Sequence, residues 1–245
     1  MLSLSRYIQP PVVIEPPPTV LSVAGEYIQN RSGFKNLVIS PVSRALKWAD
    51  FMGVLSGVGR ECKSILGTFS HAISWLDFPE ELKKLLESVN LLKEKVFTGS
   101  FWDVTVCSKD VFIRSALASD LVAEGMQLAD AKNIIQFSAS QLAILTTVGF
   151  LGSTALTMSA ISGVLTQFDT FINSEIGSPK FNLSLIKMAG KCCLVAVGVF
   201  GMVTFMVGAI IPAFILLLVS TLMLISSLTG YFYDKLYVSP QEKTD

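Results

Sequence analysis

Charged side chains are scarce in this chain: they make up 16% of its 245 residues, against about 25% in an average soluble protein. Histidine is almost missing. His71 is the single one, which excludes His-rich metal sites. The four cysteines, Cys62, Cys107, Cys192 and Cys193, are too few and too unevenly spaced for a disulfide scaffold or a zinc knuckle. Basic and acidic residues balance at 19 each, so no net charge draws the chain to DNA, RNA or acidic substrates. No Gly-Lys-Ser/Thr phosphate loop is present. Gly57-Val58-Gly59 is not a dinucleotide fingerprint, because Cys62 stands where the third glycine is required. No nucleophile motif surrounds His71, and Glu80 and Glu81 read as first-turn helix charges. These absences argue against an enzyme, and no catalytic, cofactor-binding or metal-ligating residue is assigned.

What the chain has is grease, unevenly placed. Mean hydropathy is +0.57. From Cys192 to Tyr233, 42 residues carry no charge. As one straight helix that run would measure roughly 63 Å, about twice the ~30 Å hydrocarbon core of a bilayer, so it reads as two spans. Pro212 lies near its midpoint and predicts the bend. Residues 192–233 are therefore expected to form a transmembrane hairpin. Its second arm, Ala213-Phe214-Ile215-Leu216-Leu217-Leu218-Val219, is apolar on every face. Gly198, Gly201 and Gly208 on the first arm would admit a close partner helix.

A second uncharged stretch, 133–168, is interrupted by Thr146, Thr147, Ser153, Thr154, Thr157, Ser159 and Ser162. Gly149/Ser153 and Ser159/Gly163 have the small-residue spacing of tight helix contacts. It is either a third span or a small-residue helix inside a bundle. Lys180, Lys187 and Lys191 lie in an expected basic loop, 169–191, ahead of the hairpin, and Lys235 follows in a polar tail, 234–245. By the positive-inside tendency both ends of the hairpin face the cytoplasm. Transport of ions or protons is not expected, since the spans hold no charged group.

The amino-terminal part reads differently. Residues 1–39 form a mobile, proline-rich leader without a secretory signal, centred on Pro10-Pro11-Val12-Val13-Ile14-Glu15-Pro16-Pro17-Pro18. Residues 40–132 form an amphipathic helical module. Ser40 is expected to cap the first helix ahead of Pro41, and Asp77 with Glu80 to cap the third. Leu82, Leu85, Val89, Leu92 and Val96 step by three and four along that third helix, while Lys83, Lys84, Glu87, Lys93 and Glu94 take the other face. This seam is either bundle packing or a partner-binding face. A further helix is expected from about Asp110 to Ala131. Cys192-Cys193, beside Lys191, is a candidate for thiol acylation, or else a pair of small residues in a helix.

The bilobed uncharged block with its central bend resembles the hydrophobic domain of the chlamydial inclusion membrane (Inc) proteins, and the leader is similar to their type III secretion signals. The hairpin lies near the carboxyl end, unlike theirs, and 133–168 is additional to the two-lobe plan. The resemblance implies a vacuole membrane around an intracellular bacterium, soluble helices facing host cytosol, and host or sibling proteins as partners.

The expectation is thus an all-α membrane protein, with an N-terminal bundle-like region and a C-terminal transmembrane hairpin of two or three spans. It would be non-enzymatic, without cofactor, would bind lipid and protein partners, and could self-associate as a homo-oligomer. The alternative is a membrane-shaping or small pore-forming bundle, in which the hydroxyl stripe from Thr146 to Ser162 lines a water path.

Overall fold

The computed structural model describes residues 18–208 and 211–242, and among them all regular structure is helical. The chain runs through α1 (Val20–Gln29), α2 (Arg31–Phe34), a π turn (Lys35–Ile39), α3 (Ser40–Phe51), α4 (Gly57–Trp75) and α5 (Phe78–Thr98). It continues through α6 (Phe101–Ala131), α7 (Ala139–Asn173), α8 (Pro179–Val207) and α9 (Ala213–Tyr233), and ends in a second π turn (Asp234–Val238) and α10 (Ser239–Glu242). Each helix from α5 to α9 packs on the next; α1 and α3 line α9, and α4 bridges α3 to α6.

Polar residues at the helix starts explain where several elements begin. Thr19 with Ser22, Ser100 with Asp103 and Ser138 with Gln141 form reciprocal capping boxes ahead of α1, α6 and α7. Ser178 accepts from the Phe181 backbone, and Pro179 opens α8. The Ser100 box starts α6 well before the expected Asp110. Two expected caps are absent. Ser40 sits inside a continuous helical run from Arg31, so α3 begins without a side-chain cap. The Asp77 side chain makes no capping bond, because its backbone is already in the right-handed helical region.

Tertiary contact redraws three expected boundaries. Residues 1–17 of the expected leader lie outside the described residues. From Val20 onward the remainder of that leader is helical except at the extended Asn30, with Val23 and Tyr27 buried and the Tyr27 ring 4.1 Å from that of Tyr231 on α9. The expected basic loop is confined to Ser174–Ser178 between α7 and α8; Lys180, Lys187 and Lys191 all lie on α8. The polar tail is helical from Asp234 to Glu242, and residues 243–245 lie outside the described residues.

Three helices are long and apolar enough to cross a membrane: Ala139–Asn173, Pro179–Val207 and Ala213–Val238. The expected bend is there. Helix α8 ends at Val207, Gly208 takes a left-handed φ of 63°, and Pro212 opens α9. The glycines of the first arm serve a different neighbour from the one expected. A Cβ on Gly198 would lie 2.0 Å from Thr157 Oγ1, and one on Gly201 2.5 Å from Ser153 Oγ, so both glycines face α7. Helix α9 instead meets α8 through Ser226, whose hydroxyl donates to the Ile186 carbonyl beside Gly190.

The α7–α8 seam should therefore be sensitive to a single methyl. Gly198→Ala is expected to destabilise the fold by about 1–3 kcal/mol, read as a lowered Tm of the full chain in detergent. Adding Thr157→Ala should return part of that loss. Equal losses with and without the second change would put the strain elsewhere.

Candidate functional site

Helix α5 starts after Trp75, whose indole Nε1 donates to the Leu121 carbonyl at 2.9 Å and pins α4 to α6. On α5 the side turned to α6 is marked by Glu81, which holds Arg114 at 3.0 Å. Leu85, Ser88 and Leu92 follow Glu81 at four-, three- and four-residue steps and are half-buried. The rest of the expected seam does not share that side. Leu82, Val89 and Val96 are 40%, 42% and 56% exposed, and Leu86, which the heptad reading passed over, is 57% exposed. No residue of α5 is buried. At 100° per residue, Leu82, Leu86, Val89 and Val96 form one stripe about a quarter-turn from the docked side, with Lys93 set within it. So the five seam residues divide: Leu85 and Leu92 serve the fold, while Leu82, Val89 and Val96 remain open on a helix held from behind. Only the position of α6 could reveal that division.

The acylation candidates also separate. Cys192 is exposed, Cys193 half-buried, and Cys62 and Cys107 are likewise free thiols. Both candidates lie within α8, one and two residues past Lys191, where the charge-free run begins. His71 is exposed, with Nδ1 3.9 Å from Glu124 Oε2. Among the described residues no group of three or more His, Cys, Asp or Glu gathers in a way that could hold a metal ion.

Helix α7 carries the hydroxyl stripe. Thr146, Thr147, Thr154 and Thr157 donate to the carbonyls four residues earlier, at 2.8 to 3.0 Å, so their protons are used within the helix. Thr157 is buried against Gly198. On the other side α6 lies along α7: Lys109 Nζ donates to Ser162 Oγ at 3.2 Å, and the Asp120 carboxyl rests on Gly152. That lining makes α7 the most covered of the three apolar helices, with 28% of its most apolar window buried, against 6% for α8 and 11% for Ala213–Val238. A charge at a bilayer centre costs about 2.5–3.5 kcal/mol on insertion scales. Helices α8 and α9 bring no such group from within themselves between Cys192 and Tyr233. The chain is thus an all-α membrane protein, with a charged helical module packed against an uncharged hairpin. Compared with known proteins, it matches no family model, no curated protein and no solved structure.

Asp120 was not singled out by any sequence pattern. Desolvation against α7, with Glu124 adding like charge, pushes its carboxyl up from 3.8 to about 6. A raised carboxyl pKa means that the folded chain holds a proton which the unfolded chain has released. Stability is then greatest below about pH 4 and falls as pH rises towards 6. Asp120→Asn is accordingly expected to stabilise the fold at pH 7 by about 1–2 kcal/mol, after discounting for partial solvent access. The gain should vanish near pH 4. Thermal unfolding of both proteins across that range checks the sign, and a gain that does not depend on pH would refute it.

Proposed function

We propose that this is a non-enzymatic, membrane-tethered interaction protein, in which α8 and α9 anchor the chain and α5 presents an apolar stripe to a protein partner. One observation carries the reading: Leu82, Leu86, Val89 and Val96 stay open on a helix whose adjoining flank, a quarter-turn away, is fastened to α6 through Glu81 and Arg114. Holding the stripe on a docked helix lowers the ordering entropy a partner must overcome, compared with a helix that folds on contact. An amphipathic helix or groove with apolar anchors at matching spacing is the surface that suits it. The partner is a second protein or another copy of this chain. Under the same proposal, and on the strength of the bilobed pattern's resemblance to the Inc proteins, the membrane is that of a vacuole around an intracellular bacterium. The chain would then be a secreted effector facing host cytosol.

The test uses the full chain in membranes, with a photo-crosslinking residue at Asn90, beside the stripe. Cross-links to a protein partner are expected, and Leu82→Glu/Val89→Glu/Val96→Glu should abolish them. The protein should stay in the pellet after carbonate washing, and its helicity by circular dichroism should not change. Leu85→Glu/Leu92→Glu should instead lower thermal stability, because those side chains face α6. Cross-links that survive the triple substitution would defeat the interaction reading, and release by carbonate would defeat the tether.

A further inference from the structure

A cavity flanks the hairpin where its charges stop. It measures about 600 Å³ and opens between α3, α7, α8 and α9. Arg44 from α3 and Lys187 and Lys191 from α8 line it. Lys187 is held by Asp234 at 3.2 Å. Among the described residues no anion answers the other two cations. Arg44 is half-buried, and its Nε is shut away from solvent with no hydrogen-bond partner among the described residues. Lys191 lays its aliphatic stem over Gly163 and makes no hydrogen bond or ion pair among the described residues. A half-buried guanidinium without an anion is unfavourable, and burial does push the Arg44 pKa down. Lys47, one turn further along α3, adds charge of the same sign.

The lining is not only cationic. Leu194, Met223 and Leu224 line it alongside the cations. Lys187 and Lys191 are the last charges on α8 before the uncharged run, and Asp234 is the first after it. In a bilayer crossed by α8 and α9 this cavity therefore adjoins headgroup depth, where the charged part of α8 gives way to its uncharged run. Cationic pockets between membrane helices on the basic side of a protein suit anionic headgroups. A guanidinium and an ammonium together match phosphate oxygens.

We propose that this cavity binds the phosphate-bearing headgroup of an anionic membrane lipid, with Arg44 and Lys191 meeting the phosphate and Leu194, Met223 and Leu224 receiving the start of an acyl chain. A soluble phosphate shares the headgroup chemistry but makes no use of those apolar side chains. The site is separate from the α5 stripe, so its failure would leave the partner reading standing.

The experiment takes the full chain in maltoside micelles and follows lipid retention by native mass spectrometry, with phosphatidylglycerol and phosphatidylcholine as probes and inorganic phosphate as competitor. Saturable retention of phosphatidylglycerol in preference to phosphatidylcholine is expected. Arg44→Gln/Lys191→Gln should weaken it by about five-fold per cation lost, about twenty-five-fold in all. Arg44→Lys/Lys191→Arg should keep most of the binding, and Lys93→Gln, on α5, should change nothing. Undiminished retention by a helical Arg44→Gln/Lys191→Gln protein would overturn the proposal. Without any variant, equal retention of the two lipids by the unaltered chain would also overturn it. Displacement of phosphatidylglycerol by inorganic phosphate at comparable concentration would overturn the lipid assignment in favour of a soluble anion.

Discussion

The close approach of α7 and α8 holds this protein together. Ser153 and Thr157 on one helix meet Gly201 and Gly198 on the other with no room for a Cβ. Backbones that come this near gain dispersion contacts along the whole seam, and they do so without needing water to be expelled. That matters for two helices whose facing stretches, 150–168 and 192–207, carry no charge. Aromatic rings continue the contact towards both ends: Phe150 and Phe205 have centroids 4.5 Å apart, and Phe171 and Phe181 4.6 Å. Through α7 the seam ties the charged helices α5 and α6 to the hairpin, so the stripe on α5 and the cavity beside α8 belong to one packed body.

A second constraint is where charge is permitted. Charged groups crowd the helices up to Lys132 and vanish between Cys192 and Tyr233. Where the two regimes touch, the protein shows what incomplete compensation does. Asp120 is pressed onto α7 and holds its proton more tightly than a free carboxyl. Arg44 lines the cavity beside α9 and is left without an anion among the described residues. Lys63 and Asp50, by contrast, answer each other across α3 and α4. Trp48, between these groups, gives its indole N–H to Thr221 at 3.2 Å, so even the tight contact of α3 with α9 leaves that polar atom satisfied.

Much of this was legible in the residues. The run from Cys192 to Tyr233, Pro212 and the small residues of 133–168 predict long apolar helices with a bend, and the three- and four-residue steps of Leu82 to Val96 predict α5. Periodicity could not say which side of α5 is covered, since the docked flank and the open stripe are both apolar and only about a quarter-turn apart. Prolines in the leader predict mobility up to residue 39, yet Val23 is buried and Tyr27 packs on Tyr231 and Phe232 of α9 in a second half that is largely helix. The lysines ahead of the hairpin looked like a loop because their spacing is polar, and α8 absorbs them because one flank of that helix faces α7 and α9.

By itself, then, the sequence determined helicity, the charge-free hairpin and its hinge, because these depend on local hydropathy, proline geometry and chain length. Only the tertiary structure decided that Gly198 and Gly201 serve α7 and not α9, that Leu85 and Leu92 are covered while Leu82, Val89 and Val96 are open, and that Arg44 and Lys191 share one cavity. Such pairings join residues far apart in the chain. Their energy comes from shape and desolvation at a contact, which no local pattern encodes.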